Sequence, residues 1–285
     1  MILHSPDVKG SLQLLNKNSG KYISTKCIKG RGPGEFSGLI EYKTVGDSIS
    51  IFEPTKNLIS SYKTDEFLKD SLSQNAKKIN IEKLKPNFDV IPLSGYYVSR
   101  AGVGPRFNLF NQTGKHISDY ELFPDYYKDV KSNNHKRQLV QCFFFDPKPD
   151  KSKFASISYI GGILEIFNIE KDSINRILER NFLDPNLKIE SEKGILQKED
   201  SNVGFFGLYT TDNYIYTSYS GLSTKEFIKK KQMDYIVVFD WEGNIKRLYK
   251  VEGGLTALTA DEAEGKIYVV TKDNEGVDAV GVIKM

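Results

Sequence analysis

With 285 residues, the chain is long enough for one large domain with a sizeable core. Apolar residues make up 39% and charged residues 27%, which excludes a disordered chain. Forty basic against 37 acidic residues leave a net charge of +3, too balanced to point to nucleic acid, and no apolar run reaches the roughly 18–20 residues of a membrane span.

Taken in chain order, the opening Met1-Ile2-Leu3-His4-Ser5-Pro6-Asp7 has no basic region, apolar stretch or small-residue cleavage site of a signal peptide. The run Leu12-Gln13-Leu14-Leu15 closes on Asn16, and Gly20-Lys21 leads into a second strand reaching Cys27. The loop Gly30-Arg31-Gly32-Pro33-Gly34-Glu35-Phe36 follows. Its alternate glycines do not complete a dinucleotide fingerprint: Glu35 occupies the sixth position, Pro33 interrupts the loop and no helix follows. It reads as a compact crossing between structural units, with Phe36 as apolar anchor. Ile49-Ser50-Ile51-Phe52-Glu53 is a further strand, and residues 64–77 are a polar helical candidate. Residues 95–99 and Phe107-Asn108-Leu109-Phe110-Asn111 read as strands around the loop Ala101-Gly102-Val103-Gly104-Pro105, and Gly114-Lys115 opens the next. Residues 126–137 are a polar insertion. Residues 154–160, Leu164-Glu165-Ile166-Phe167-Asn168, residues 214–219, Val237-Val238-Phe239-Asp240 and residues 266–271 read as strands. Residues 187–199 are a second helical candidate within a polar insertion, and Lys229-Lys230-Lys231, with Lys225, reads as a solvated loop. Val280-Gly281-Val282-Ile283-Lys284 is the last strand.

Aligned with itself, the chain repeats one pattern: an apolar run, Asn or Asp, a short turn and a second strand. Three turns carry Gly and a polar residue: Gly20-Lys21, Gly114-Lys115 and Gly243-Asn244. An Asn or Asp side chain opens such a turn by accepting from the backbone, and Gly takes the positive-φ position that closes it. Markers at Leu15, Phe52, Phe110, Phe167, Phe239 and Ile283 recur about every 54 residues, the spacing of multi-stranded propeller blades. Units fall near residues 1–30, 36–85, 86–124, 137–183, 203–252 and 253–285. The expected fold is therefore an all-β, six-bladed β-propeller forming one domain over residues 1–285. Its first blade lacks inner strands at the N-terminus, so Met1 is expected to be an internal start.

The GRGPGEF loop after a short hairpin resembles the TolB-like six-bladed propellers of bacteria, relatives of the NHL-repeat proteins. Gly95-Tyr96-Tyr97-Val98-Ser99 leading to Arg106-Phe107-Asn108-Leu109-Phe110, and the stretch Val237-Val238-Phe239-Asp240-Trp241-Glu242-Gly243-Asn244, are similar to the same family. The resemblance covers most of the chain. It implies a protein acting outside the cytoplasm, periplasmic or anchored as a lipoprotein, with membrane tethering only through a segment preceding this chain. It carries over no catalytic residues.

Candidate sites are few. His4, His116 and His135 do not form a metal-ligand spacing, Ser60-Ser61-Tyr62-Lys63 reads as a strand and not a helical S-x-x-K, and no nucleophile elbow is present. Cys27 and Cys142 sit in apolar strand-like stretches and read as two buried free thiols, with a disulfide between them as the lesser alternative. No cofactor is indicated. The mouth of a propeller's central channel collects loops from every blade, and the residues expected there are Arg31, Glu35, Tyr96, Arg100 and Arg106, with Tyr97 beside them. Arg100 and Arg106 flank a glycine loop where two guanidinium groups can hold an acidic group, while Arg31 and Glu35 also suit a structural pair holding their own loop. The expected function is a non-enzymatic module of the bacterial cell envelope that binds a small molecule or a protein. The alternative is a propeller enzyme, a metal-assisted hydrolase or lyase with its site on the axis. Nucleic acid is not expected, since the lysine run has no interleaved aromatics.

Overall fold

A computed structural model describes residues 2–4, 10–32, 34–38, 40–69, 76–82, 87–101, 104–127, 135, 138–139, 142–190, 194–196, 199–231, 233–272 and 278–285. The N-terminal sheet has three strands, β1 (Ile2–His4), β2 (Gly10–Leu15) and β3 (Tyr22–Ile28). The second contains β4 (Glu41–Val45), β5 (Ser48–Glu53), β6 (Leu58–Lys63) and β7 (Lys77–Asn80). The third contains β8 (Asn87–Leu93), β9 (Tyr96–Ala101), β10 (Phe107–Asn111) and β11 (His116–Tyr120). The fourth is built from β12 (Phe143–Pro147), β13 (Lys153–Ser158), β14 (Gly162–Glu170) and β15 (Ser173–Leu183). A hairpin of β16 (Lys188–Glu190) and β17 (Gly194–Leu196) precedes the fifth sheet, β18 (Phe205–Thr210), β19 (Tyr214–Tyr219), β20 (Met233–Asp240) and β21 (Ile245–Leu255). The last has three strands, β22 (Ala257–Asp261), β23 (Lys266–Lys272) and β24 (Asp278–Lys284).

Each sheet is an antiparallel meander in chain order, which is the blade of a β-propeller. The fold is thus an all-β propeller. Where the sequence led to six blades, five are present among the described residues and the N-terminal sheet, opened by the three-residue β1, is partial. The sheets follow the expected units, except that β21 runs past residue 252 to Leu255 and the β16–β17 hairpin lies between two units. Two markers are out of phase: Leu15 on β2 and Phe52 on β5 lie on second strands, whereas Phe110, Phe167, Phe239 and Ile283 lie on third strands.

The chain divides into two compact units. One comprises Met1–Gly102 with Phe107–Asp119, the other Val103–Arg106 with Tyr120–Met285. In the first, Ile49, Ile51, Leu12 and Leu14 pack with Cys27 and Phe36, and Phe52, Ile59, Val90 and Phe110 form a second cluster. In the second, Ile157, Leu164, Ile166, Phe205, Ile215 and Phe239 pack together. Middle strands are buried on both faces, as β14 is from Gly162 to Phe167. They therefore read as continuous apolar runs instead of alternating ones. Each fully buried Phe or Ile contributes roughly 1.5–3 kcal/mol.

The repeated turns use the expected chemistry. Asn111 Oδ1 accepts from the backbone of Thr113 at 2.9 Å and Lys115 at 3.0 Å, and Asp240 Oδ1 from Glu242 at 3.1 Å and Asn244 at 2.8 Å. Gly114 and Gly243 sit at φ 83° and 77°. Asn168 departs from the pattern: β14 runs on to Glu170, and Lys171 and Asp172, both at positive φ, make the turn.

Both helical candidates change. Of residues 64–77, Thr64–Lys69 form the short helix α1, residues 70–75 lie outside the described residues, and β7 starts at Lys77. Residues 187–199 hold the β16–β17 hairpin, because Leu187-Lys188-Ile189-Glu190 alternates with period two. The lysine run is not a loop but helix α2 (Thr224–Lys230), opened by a capping box between Ser223 and Glu226. Among the described residues no helix is long and apolar enough to cross a membrane.

Candidate functional site

In the first unit, β4 and β8 are the first, edge strands of neighbouring sheets and pack against each other. Glu41 and Lys43 stand two apart on β4 and so share a face. Asp89 lies across from Arg100 in the β8–β9 register, next to an irregularity between Asn87 and Asp89. Lys43 Nζ is 3.8 Å from Asp89 Oδ2, at the outer limit of an ion pair. Asp89 is only 8% exposed, yet its Oδ1 has no hydrogen-bond partner among the described residues. A buried carboxylate oxygen left without a donor costs roughly 1–3 kcal/mol or more.

The same strand repeats the feature with opposite polarity. Asn87 Oδ1 accepts from Ser99 Oγ at 2.7 Å and Asn108 Nδ2 at 3.4 Å, while Asn87 Nδ2 has no acceptor among the described residues. Two buried side chains of β8 thus present one open acceptor and one open donor. Glu41 titrates in this setting. Burial, and then the Asp89 charge, push its carboxyl up to about 7, against the opposing pull of Lys43 and Arg100. A proton is therefore exchangeable here near neutrality.

The five residues expected at one mouth are dispersed. Arg100 belongs to the cluster just described. Tyr96 stands at the other end of β9, about 13 Å away at the rise of a strand, so the two do not share one small site. Tyr97 is core, packed with Phe110 and Val90. Glu35 serves its own loop: its Oε2 accepts from the Gly32 backbone N–H at 2.7 Å. A Cβ at Gly30 would sit 1.8 Å from the same oxygen and so would displace the Glu35 carboxylate from this place. Arg31 is exposed on this loop, and Pro33 lies outside the described residues.

Arg106 overturns the expectation of an open arginine pair. It is 1% exposed, inside the second unit, because the fully buried Glu165 of β14 takes its guanidinium in a two-point contact, Nη1 to Oε1 at 2.9 Å and Nη2 to Oε2. Nη2 also donates to Ser156 Oγ at 3.2 Å, and the Phe143 ring lies 4.2 Å from the guanidinium carbon. Arg176 adds a donor to Glu165 at 3.3 Å and continues to Asp125 at 3.0 Å. Of the loop between the arginines, Gly102 and Val103 lie outside the described residues.

Elsewhere, His116 Nε2 meets Asp119 Oδ1 at 2.7 Å on β11, and His135 is buried. Ser60 is buried on β6 while Lys63 is exposed. Cys27 and Cys142 are free thiols, and burial pushes the Cys27 thiol up to about 12. Among the described residues no group of three or more His, Cys, Asp or Glu could hold a metal ion. Asp89, Glu41 and Lys43 escaped sequence reasoning because they share no motif; only their places on first strands of adjacent repeats could have marked them.

Comparison with known proteins places this geometry in a family. Residues 4–263 match the family model described as TolB-like 6-blade propeller-like. No curated protein matches the sequence. Among solved structures, a Bacteroides fragilis NCTC 9343 protein described as exported is similar at 13% identity and TM-score 0.54, covering 95% of this chain and 77% of its own. AztD of Citrobacter koseri is similar at 12% identity and TM-score 0.48, with coverage of 96% and 78%. BamB of Moraxella catarrhalis is similar at 15% identity and TM-score 0.42, with coverage of 98% and 65%. At 13% identity the likeness to the Bacteroides fragilis protein speaks for the fold alone.

Proposed function

The chain belongs to the TolB-like 6-blade propeller-like family, and from that membership we propose that it is a non-enzymatic binding module of the bacterial cell envelope. In this reading it is a single six-bladed propeller domain that binds at its channel mouth and acts outside the cytoplasm. Family membership and the likeness to a Bacteroides fragilis protein described as exported support the location. In a propeller the first strand of each blade runs beside the central channel, which is where β4 and β8 would place Glu41, Lys43 and Asp89.

One observation carries the binding reading: the buried Asp89 Oδ1 without a donor. A core built for stability alone satisfies its buried charges, and a site built for a ligand leaves the complementary group to the ligand. The ligand of this reading is a small polar molecule. It donates to Asp89 Oδ1 from a hydroxyl or ammonium, accepts from Asn87 Nδ2, and lies beside Arg100 and Lys43. Tyr96 and Arg31 remain proposed contacts for a larger partner.

Mass spectrometry of small molecules that co-purify with the protein tests this. Wild-type protein retains a polar molecule, and Asp89→Asn and Arg100→Ala lose it. Identical small-molecule content in all three would remove the basis for the reading.

A further inference from the structure

The small molecule proposed for Asp89 donates from a hydroxyl or from an ammonium, and the charges around Asp89 decide between the two. Glu41 and Lys43 come from β4, Asp89 from β8 and Arg100 from β9. Two acids and two bases of three strands thus lie within one another's field in the first unit. They do not close on one another. Lys43 Nζ stands 3.8 Å from Asp89 Oδ2, and Asp89 Oδ1 has no hydrogen-bond partner among the described residues. Asn87 Nδ2, at the start of the same strand, has no acceptor among them either.

Simple ligands each fail on one side of this set. An anion is drawn to Lys43 and Arg100 and repelled by Asp89. A cation fills the acceptor of Asp89 and is repelled by both bases. A neutral polyol reaches Asp89 with a hydroxyl but brings no charge to Lys43 and Arg100. A zwitterion brings the opposite charge to the acid and to the bases at once. The spacing narrows the class further. The Lys43 ammonium and the Asp89 carboxylate are only 3.8 Å apart, so the ligand groups that meet them must also be close together. An α-amino acid has one carbon between its ammonium and its carboxylate, whereas γ-aminobutyrate has three.

We propose that this cluster is a site for an α-amino acid, whose ammonium donates to Asp89 Oδ1 while its carboxylate accepts from Asn87 Nδ2 and lies against Lys43 and Arg100. The assignment rests on the ligand reading above and names the class of that ligand.

Thermal denaturation at pH 7 of protein refolded free of any bound small molecule tests it, with each standard L-amino acid, γ-aminobutyrate, glycerol and glucose as separate probes. At least one α-amino acid is expected to raise the midpoint, and calorimetric titration then gives its affinity. The amine that lacks its carboxylate and the acid that lacks its ammonium are each expected to bind about tenfold more weakly, as is γ-aminobutyrate. Lys43→Met is expected to weaken the amino acid about tenfold without weakening the amine, a selectivity that a general loss of structure does not produce. An amine or a γ-amino acid that binds as tightly as the α-amino acid overturns the proposal. So does stabilisation by glycerol or glucose alone, or by no probe at all. In those cases the ligand reading still stands if wild-type protein retains a co-purifying molecule that Asp89→Asn loses, and it falls with the proposal if the two proteins have the same content.

Discussion

Arg100 and Arg106 leave the same short loop and meet opposite fates. Arg106 is enclosed: Glu165 takes two of its nitrogens, Ser156 and the Leu122 carbonyl take further bonds, and Phe143 covers the guanidinium. Arg100 lies in a set that is mixed in charge and incomplete, with Asp89 open at one oxygen and Glu41 held near neutrality. A buried charge met by a two-point counter-charge holds a fold together, even though Arg106 Nε finds no acceptor among the described residues. A buried charge with a bond left open is a cost to the fold, tolerated where it has other work. The cluster of the first unit is therefore the better candidate for function, although sequence alone ranked the two arginines equally.

The largest expected effect breaks the enclosed side. Glu165→Ala leaves Arg106 buried without its counter-charge and is expected to cost about 3–5 kcal/mol in urea denaturation, as removal of one partner of a buried pair does. A loss within the range of a surface substitution would mean that the Arg106 pair does not hold the second unit.

The next effect sharpens the open side. Glu41 has its carboxyl raised from 4.5 to about 7, so the folded protein binds the proton more tightly than the unfolded chain. Its contribution to stability is full below about 4.5 and is lost as pH rises through about 7. Thermal denaturation from pH 4 to pH 8 is expected to show a decline across that window that flattens in Glu41→Gln. Because the Asp89 charge helps to raise Glu41, Asp89→Asn is expected to move the Glu41 midpoint downward, read by NMR titration of the side-chain carboxyl. A midpoint that stays in place would separate the two groups.

The smallest effect lies outside both sites and calibrates them. Ser223→Ala removes the cap of α2, and about 1 kcal/mol of stability is expected to go with it. A Glu165→Ala loss no larger than this would erase the contrast.

How much of this was readable beforehand follows from which interactions are local. The turns at Asn111 and Asp240 are written within a few residues, so the hairpins, and from their recurrence the blades, were legible. The capping box Ser223-x-x-Glu226 is equally local, and it starts the helix that carries the lysine run. The Arg106–Glu165 pair joins residues far apart in the chain, and nothing near Arg106 announces its partner. The Asp89–Glu41–Lys43 set likewise exists only once β4 and β8 are side by side. Glu35 shows the converse: its place over Gly30 and Gly32 is local, and the loop GRGPGEF already contains both the carboxylate and the glycines that make room for it.

The central claim is that Asp89 is kept for a ligand and Glu165 for the fold. Urea denaturation of Asp89→Asn beside Glu165→Gln, at pH 7 on proteins refolded free of any bound small molecule, tests it most directly. Asp89→Asn is expected to be at least as stable as wild type, since it removes an unsatisfied buried charge, while Glu165→Gln is expected to be clearly weaker. An Asp89→Asn protein destabilised as much as Glu165→Gln would make Asp89 a structural residue and contradict the assignment.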